Sequence, residues 1–186
     1  EAGPFVLALG RAEPRKRHAE LVAAFGRLAA EVPGIRLVVA GPDGPATAAV
    51  VAARDGLPGA ARNAVHLLGH VDDVTRSALL RNAALLAYPS SYEGFGFPVL
   101  EAMQAGTPVV AASGGAVAEV AGDAAVLVDE SGVAFVDALA DALRRVVTDE
   151  TLRHRLVESG HHRVEEFGWE KTAAGMVDLY REAADG

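Results

Sequence analysis

YPSSYEGFGFPVLEAMQAGTPVV, residues 88 to 110, holds a strand end, a glycine-rich loop, a helix and a second strand. ALLAY (84–88) and TPVVAA (107–112) are short, continuous apolar runs, the pattern of strands buried on both faces. Pro98 suits the first turn of the helix between them, where its missing N–H costs nothing. Gly94 and Gly96 allow a close backbone approach just before it. Strand, loop, helix and strand in that order make a right-handed crossover between parallel strands.

The same unit repeats outward. FVLAL (5–9), IRLVVA (35–40), VHLLG (65–69) and AAVLVD (124–129) are further aliphatic runs bounded by Gly, Pro, Asn or Asp. Leu21, Val22, Phe25, Leu28, Ala29 and Val32 fall on one helical face, predicted to begin at Pro14 and close at Pro33-Gly34. Pro45 to Asp55 and Val74 to Ala84 are the next helices. The fold class that follows is α/β, a Rossmann-like parallel sheet of about six strands with helices on both faces. After residue 132 the pattern is helical only, with predicted helices Val133 to Val147, Asp149 to Gly160 and Trp169 to Ala184. The Trp169, Met176, Leu179 and Tyr180 stripe is expected to be a packing face.

Composition narrows the chemistry. The 186 residues fit one domain, and 51% hydrophobic content is enough for a sizeable core. A net charge of −8 argues against general nucleic-acid binding. With no cysteine, disulfides and thiolate metal sites are excluded. No apolar run is long enough to span a membrane, no signal peptide is recognisable at the start, and the expected location is cytoplasmic. The first strand begins almost at residue 1, as in a domain cut from a longer protein.

In open parallel sheets ligands bind beyond the carboxyl ends of the strands, so loops 10–16, 41–45, 69–73, 89–98 and 113–116 should share one rim. Arg11 and Lys16 follow the first strand and can offer a guanidinium fork and a point charge to phosphate. Equally, Arg15, Lys16 and Arg17 can be a solvated helix start. Around Pro98, amides of Gly96, Phe97, Val99 and Leu100 are expected to point outward with the positive end of the helix dipole, which makes an anion site. Glu93 and Glu101 would repel phosphate unless the ligand also carries hydroxyls, for which ionised carboxylates are strong acceptors. Both could instead complement the helix dipole, which suits Glu101 better than Glu93. Ser113-Gly114-Gly115, with Glu119 after it, is either a second phosphate approach or a turn. Gly41-Pro42-Asp43-Gly44 is expected to be a plain turn. Asp72-Asp73 is expected to cap a helix, and His161-His162 lacks ligands at metal spacing. Gly94-Phe95-Gly96 lacks the third glycine of the dinucleotide fingerprint.

Taken together, these residues resemble the C-terminal, donor-binding domain of retaining glycosyltransferases of the GT-B fold. Glu93-Gly-Phe-Gly-Phe-Pro-Val-Leu-Glu101 matches their E-x7-E motif, and Ala102 to Val110 continues it. Gly10-Arg11 with Lys16, Ala40-Gly41-Pro42, Leu68-Gly69-His70-Val71 and Ser113-Gly114-Gly115 with Glu119 also match. The resemblance covers essentially the whole chain. It departs at Arg17, where many relatives have Gly, and at Phe97, where Leu is common.

The resemblance implies that Arg11 and Lys16 grip the donor diphosphate, close to amides from Phe97 to Leu100. It places the transferred sugar on Glu93, Gly94 and the Phe95-Gly96 backbone, and the ribose on Glu101. Gly10 lies beside the phosphates, and His70-Val71 receives the base. Arg11, Lys16 and Glu93 are then the catalytic residues, with no metal or other cofactor. The donor is a nucleotide diphosphate sugar, GDP-mannose ahead of UDP-sugars, because AGPDG and YPSSYEGFGFPVLEAM look most like bacterial mannosyltransferase-type sequences. The partner is an N-terminal acceptor domain absent from this chain, onto which the last helix of relatives crosses. Nucleic acid is not a partner, and any membrane association belongs to the missing domain. The other readings are a nucleotide-sugar epimerase on the same scaffold, a non-catalytic nucleotide-binding module and a nicotinamide dehydrogenase.

Overall fold

Six parallel strands form one sheet in the computed structural model, which describes residues 3–129 and 134–185. They are β1 (Phe5–Leu9), β2 (Arg36–Ala40), β3 (Val65–Gly69), β4 (Leu85–Tyr88), β5 (Val109–Ala112) and β6 (Ala125–Val128), in the order β3-β2-β1-β4-β5-β6. All six aliphatic runs of the sequence are strands, as expected. Their continuity has a simple cause: Val6 and Ala8 pack on one face while Leu7 and Leu9 pack on the other, so every position of β1 after Phe5 is buried.

Nine helices are described. One face of the sheet is covered by α1 (His18–Glu31) and α7 (Phe135–Thr148), through Leu21, Phe25 and Leu28 against Leu139, Leu143 and Val146. The other is covered by α5 (Phe97–Gln104) and α6 (Ala116–Ala121), through Val99, Ala102, Met103 and Val117. The remaining helices are α2 (Thr47–Asp55), α3 (Gly59–Asn63), α4 (Asp73–Asn82), α8 (Glu150–Glu165) and α9 (Trp169–Asp185).

Three expectations are corrected, and one short helix is new. The first helix does not begin at Pro14: Pro14–Lys16 form a short 3-10 turn, Arg17 takes a left-handed conformation with φ 50°, and α1 starts at His18. A side chain pays steric strain there that glycine avoids, which gives physical meaning to the glycine common at this position; the Arg17 guanidinium lies 4.8 Å from the Phe135 ring. α8 does not stop at Gly160 but runs on to Glu165, because Gly160 is a contact point and not a terminator: a Cβ there would sit 3.1 Å from Met103 Cγ of α5. The short α3 has no counterpart in the sequence reading. Finally, Met176, Leu179 and Tyr180 of α9 are exposed and not packed; the Trp169 side chain, like Val133, lies outside the described residues. The smaller differences are boundaries, with α2 starting at Thr47 and α4 ending at Asn82.

Candidate functional site

The strand order reverses between β1 and β4, which are direct neighbours. Their following loops therefore leave in opposite directions and open a crevice at the carboxyl edge, the place where such sheets bind ligands. Loop 10–17 forms one wall and loop 89–96 the other. The walls are tied together: the Ser91 N–H donates to the Arg15 carbonyl at 2.8 Å, and Ser90 Oγ lies 3.2 Å from the same oxygen.

At the bottom lies Lys16, only 7% exposed. The 3-10 turn and the left-handed Arg17 direct it inward, and its stem runs over Gly10, where a Cβ would stand 3.2 Å from Lys16 Cε. Lys16 Nζ donates to Glu93 Oε1 at 2.6 Å and to the Tyr88 hydroxyl at 2.9 Å. Arg15 Nη1 and Ser90 Oγ reach the same Glu93 oxygen, each at 2.6 Å. Burial alone would raise the Glu93 carboxyl; the hydrogen bonds from Lys16, Ser90 and Arg15 outweigh it and hold Glu93 below the ordinary glutamate range. The Tyr88 hydroxyl is pushed up by burial and by the Glu93 charge, so it stays protonated. Beneath the cluster, burial, with the Lys16 charge adding, lowers His18 to about 4.

The second carboxylate has a different setting. Glu101 lies on the second turn of α5 and forms an ion pair with Arg76 of α4. Between the two glutamates, Gly96 opens α5 at φ 105°, a conformation that favours glycine. A Cβ on it would lie 3.4 Å from Val117 Cγ2, so α6 presses close behind the loop. Phe95 and Phe97 stack with centroids 4.8 Å apart; Phe97 stands exposed, and Phe95 meets Phe167 beyond the end of α8 edge-on at 5.7 Å. Gly94 is exposed at the loop tip and Leu100 is half-buried against the core. Val99 is a correction: its side chain is fully buried, and its N–H donates to the Gly96 carbonyl at 2.9 Å instead of pointing outward. This is the first closed turn of the helix, so the outward amides on offer come from neighbouring positions.

Arg11 is not brought against Lys16. It turns toward the β2 side of the rim, where its Nε donates to the Asp43 carbonyl at 3.0 Å. The Gly41-Pro42-Asp43-Gly44 segment, expected to be a plain turn, is an irregular loop with the turn just after it at Pro45-Ala46, and it docks on loop 10–17: Ala12 N–H bonds the Pro42 carbonyl, and a Cβ on Gly41 would lie 2.0 Å from the Gly10 carbonyl. His70 is exposed and Val71 half-buried at the end of β3. Asp72 caps α4 through Thr75 N–H at 2.7 Å, as expected. Loop 113–115 packs on the Glu93 backbone, since a Cβ on Gly115 would stand 3.4 Å from Glu93 N, while Glu119 is exposed on α6. Among the described residues there is no group of three or more potential metal ligands and no helix long and apolar enough to cross a membrane.

Tyr88, Ser90 and Arg76 were missed in the sequence reading, and Arg15 was seen only as a solvated charge. Tyr88 did leave a signal: a hydroxyl closing an otherwise aliphatic buried strand needs a partner. Arg76 left none, since one arginine on a polar helix is unremarkable.

A model of the family described as glycosyl transferases group 1 matches residues 1–163. The chain is 35% identical to a D-inositol 3-phosphate glycosyltransferase of Nocardioides sp. over 98% of this chain and 42% of that protein. It is 36% identical to a phosphatidyl-myo-inositol mannosyltransferase of Mycobacterium tuberculosis, over 98% of this chain and 48% of the relative. Among solved structures, the sucrose-phosphate synthase of Thermosynechococcus elongatus superposes with a TM-score of 0.77 at 30% identity, over 98% of this chain and 46% of that one. The chain spans less than half the length of these curated relatives.

Proposed function

The chain belongs to the group 1 glycosyl transferases, and from that premise we propose that it is the donor-binding half of a retaining hexosyltransferase that uses a nucleotide diphosphate sugar. The observation that carries this reading is Glu93, held ionised by Lys16, Arg15 and Ser90 in the crevice where the strand order reverses. An ionised, immobilised carboxylate beside a buried ammonium suits a ligand that carries sugar hydroxyls and phosphate together.

In this reading the sugar hydroxyls bond to Glu93, the diphosphate lies between Lys16 and the first turn of α5, the ribose meets Glu101, and the base lies by His70-Val71. Lys16 carries three donors; two are placed on Glu93 and Tyr88, which leaves one for a phosphate oxygen. Arg11, on the β2 side, joins from the rim. The bond between the anomeric carbon and the β-phosphate oxygen breaks, and its electron pair leaves with the diphosphate. Lys16, Arg11 and the amides at Gly96 and Phe97 stabilise the charge that develops. The acceptor hydroxyl adds from the face the phosphate leaves, and its proton passes to that phosphate, so the anomeric configuration is kept. No step is assigned to a metal. The acceptor site belongs to a further domain, and transfer by this chain alone is expected to be negligible. GDP-mannose is the preferred donor; two features support it, the likeness of 88–103 to mannosyltransferase-type sequences and the name of one relative.

Calorimetric titration of the chain with GDP, UDP and ADP in EDTA tests this. Binding of one nucleotide, weakened about 10-fold or more by Lys16→Ala through loss of a charged hydrogen bond, is the expected result. Binding that Lys16→Ala leaves untouched would sink it.

A further inference from the structure

Arg76 projects from the first turn of α4, and its Nη2 pairs with Glu101 Oε2 across the groove between α4 and α5 that Ser77, Arg81 and Gln104 also line. The two side chains are 32% and 36% exposed. An isolated pair this open to solvent adds little to folding stability, so the fold does not require it. What it does is restrict the carboxylate. A glutamate on a helix surface samples several rotamers, and ordering it when a ligand arrives costs affinity. Arg76 does that ordering in advance. It occupies one oxygen only: among the described residues, Glu101 Oε1 has no hydrogen-bond partner.

We propose that Arg76 is a positioning residue, which holds Glu101 by one carboxylate oxygen so that the other accepts a ribose hydroxyl of the bound nucleotide. The inference rests on the reading of Glu101 as the ribose acceptor. It adds a member to the site on a helix outside the E-x7-E segment and assigns it no contact with the ligand. The guanidinium acts only through the carboxylate, so its effect should be confined to the ribose.

The test is calorimetric titration with GDP, UDP and ADP, then with the 2′,3′-dideoxy form of whichever binds tightest. The wild-type chain is expected to prefer the ribonucleotide by about 10- to 100-fold, the equivalent of one hydrogen bond to a charged group. In Arg76→Ala that preference should fall by about 3- to 10-fold, with the dideoxy affinity unchanged. Arg76→Lys should recover part of it, and adding Arg76→Ala to Glu101→Gln should change nothing further. A general structural role would weaken both forms alike, and that result overturns the proposal, as does a preference that survives Arg76→Ala. If the wild-type chain itself does not distinguish the two forms, or binds none of the nucleotides, the reading of Glu101 fails and takes the inference with it.

Discussion

Glu93 and Glu101 belong to one strand-loop-helix segment, yet the protein treats them differently. Glu93 is 12% exposed at its side chain and receives two cations and a hydroxyl on a single oxygen. Glu101 is 36% exposed and has one arginine. The first is part of the framework: it neutralises a buried lysine and joins the β1 and β4 loops. The second is a surface group whose direction is set and little else. In the proposed function this pairs a rigid end, where a bond would break, with a carboxylate whose direction Arg76 sets, where a ribose would be gripped.

Stability measurements should break or sharpen this contrast, and the largest effect is expected at Glu93. Removing one member of a buried ion pair leaves the other charge uncompensated, at about 3–5 kcal/mol. Glu93→Ala should therefore lower the melting temperature by about 6 °C or more in a chain of this size. Glu101→Ala removes a half-exposed pair worth about 0–1 kcal/mol and should barely move it. Equal losses from the two variants would erase the distinction.

The acid limb gives the next effect. The folded-state carboxyl of Glu93 titrates below its ordinary value of 4.5, so its stabilising contribution is complete above that value and is lost as pH falls through the depressed one. Between about pH 5 and pH 3 the wild-type melting temperature should fall more steeply than that of Glu93→Gln; parallel curves would contradict this. A loss well below that of Glu93→Ala is expected from Tyr88→Phe, which keeps the buried ring and removes one hydrogen bond to Lys16, at about 1 kcal/mol. A loss as large as that of Glu93→Ala would show that the hydroxyl, and not the carboxylate, holds the lysine in place.

The sheet was legible because burial on both faces writes itself as uninterrupted aliphatic runs such as FVLAL and ALLAY. Glu93, Glu101 and Lys16 stood out because charged residues in rim loops and beside a helix start at the rim need a reason. What stayed hidden depends on distant contacts. Lysine is rarely buried, so nothing local marks Lys16 as the floor of a crevice, 72 positions in sequence from the Tyr88 hydroxyl that receives it. The break at Arg17 is not encoded by a helix breaker; it accompanies the inward turn of Lys16. Gly160 carries the composition of a helix end, and only the nearness of Met103 explains why the helix passes through. The pairing of Arg76 with Glu101 depends on how α4 and α5 lie side by side, which neither segment states alone.

The most direct measurement is a crystal structure of the chain with the nucleotide sugar that titration selects. The account predicts sugar hydroxyls on the Glu93 carboxylate, the diphosphate between Lys16 and the start of α5, and ribose hydroxyls on Glu101 with Arg76 still in place. A ligand bound outside the crevice between the β1 and β4 loops, or lying with its sugar on Glu101 and its ribose on Glu93, would contradict it.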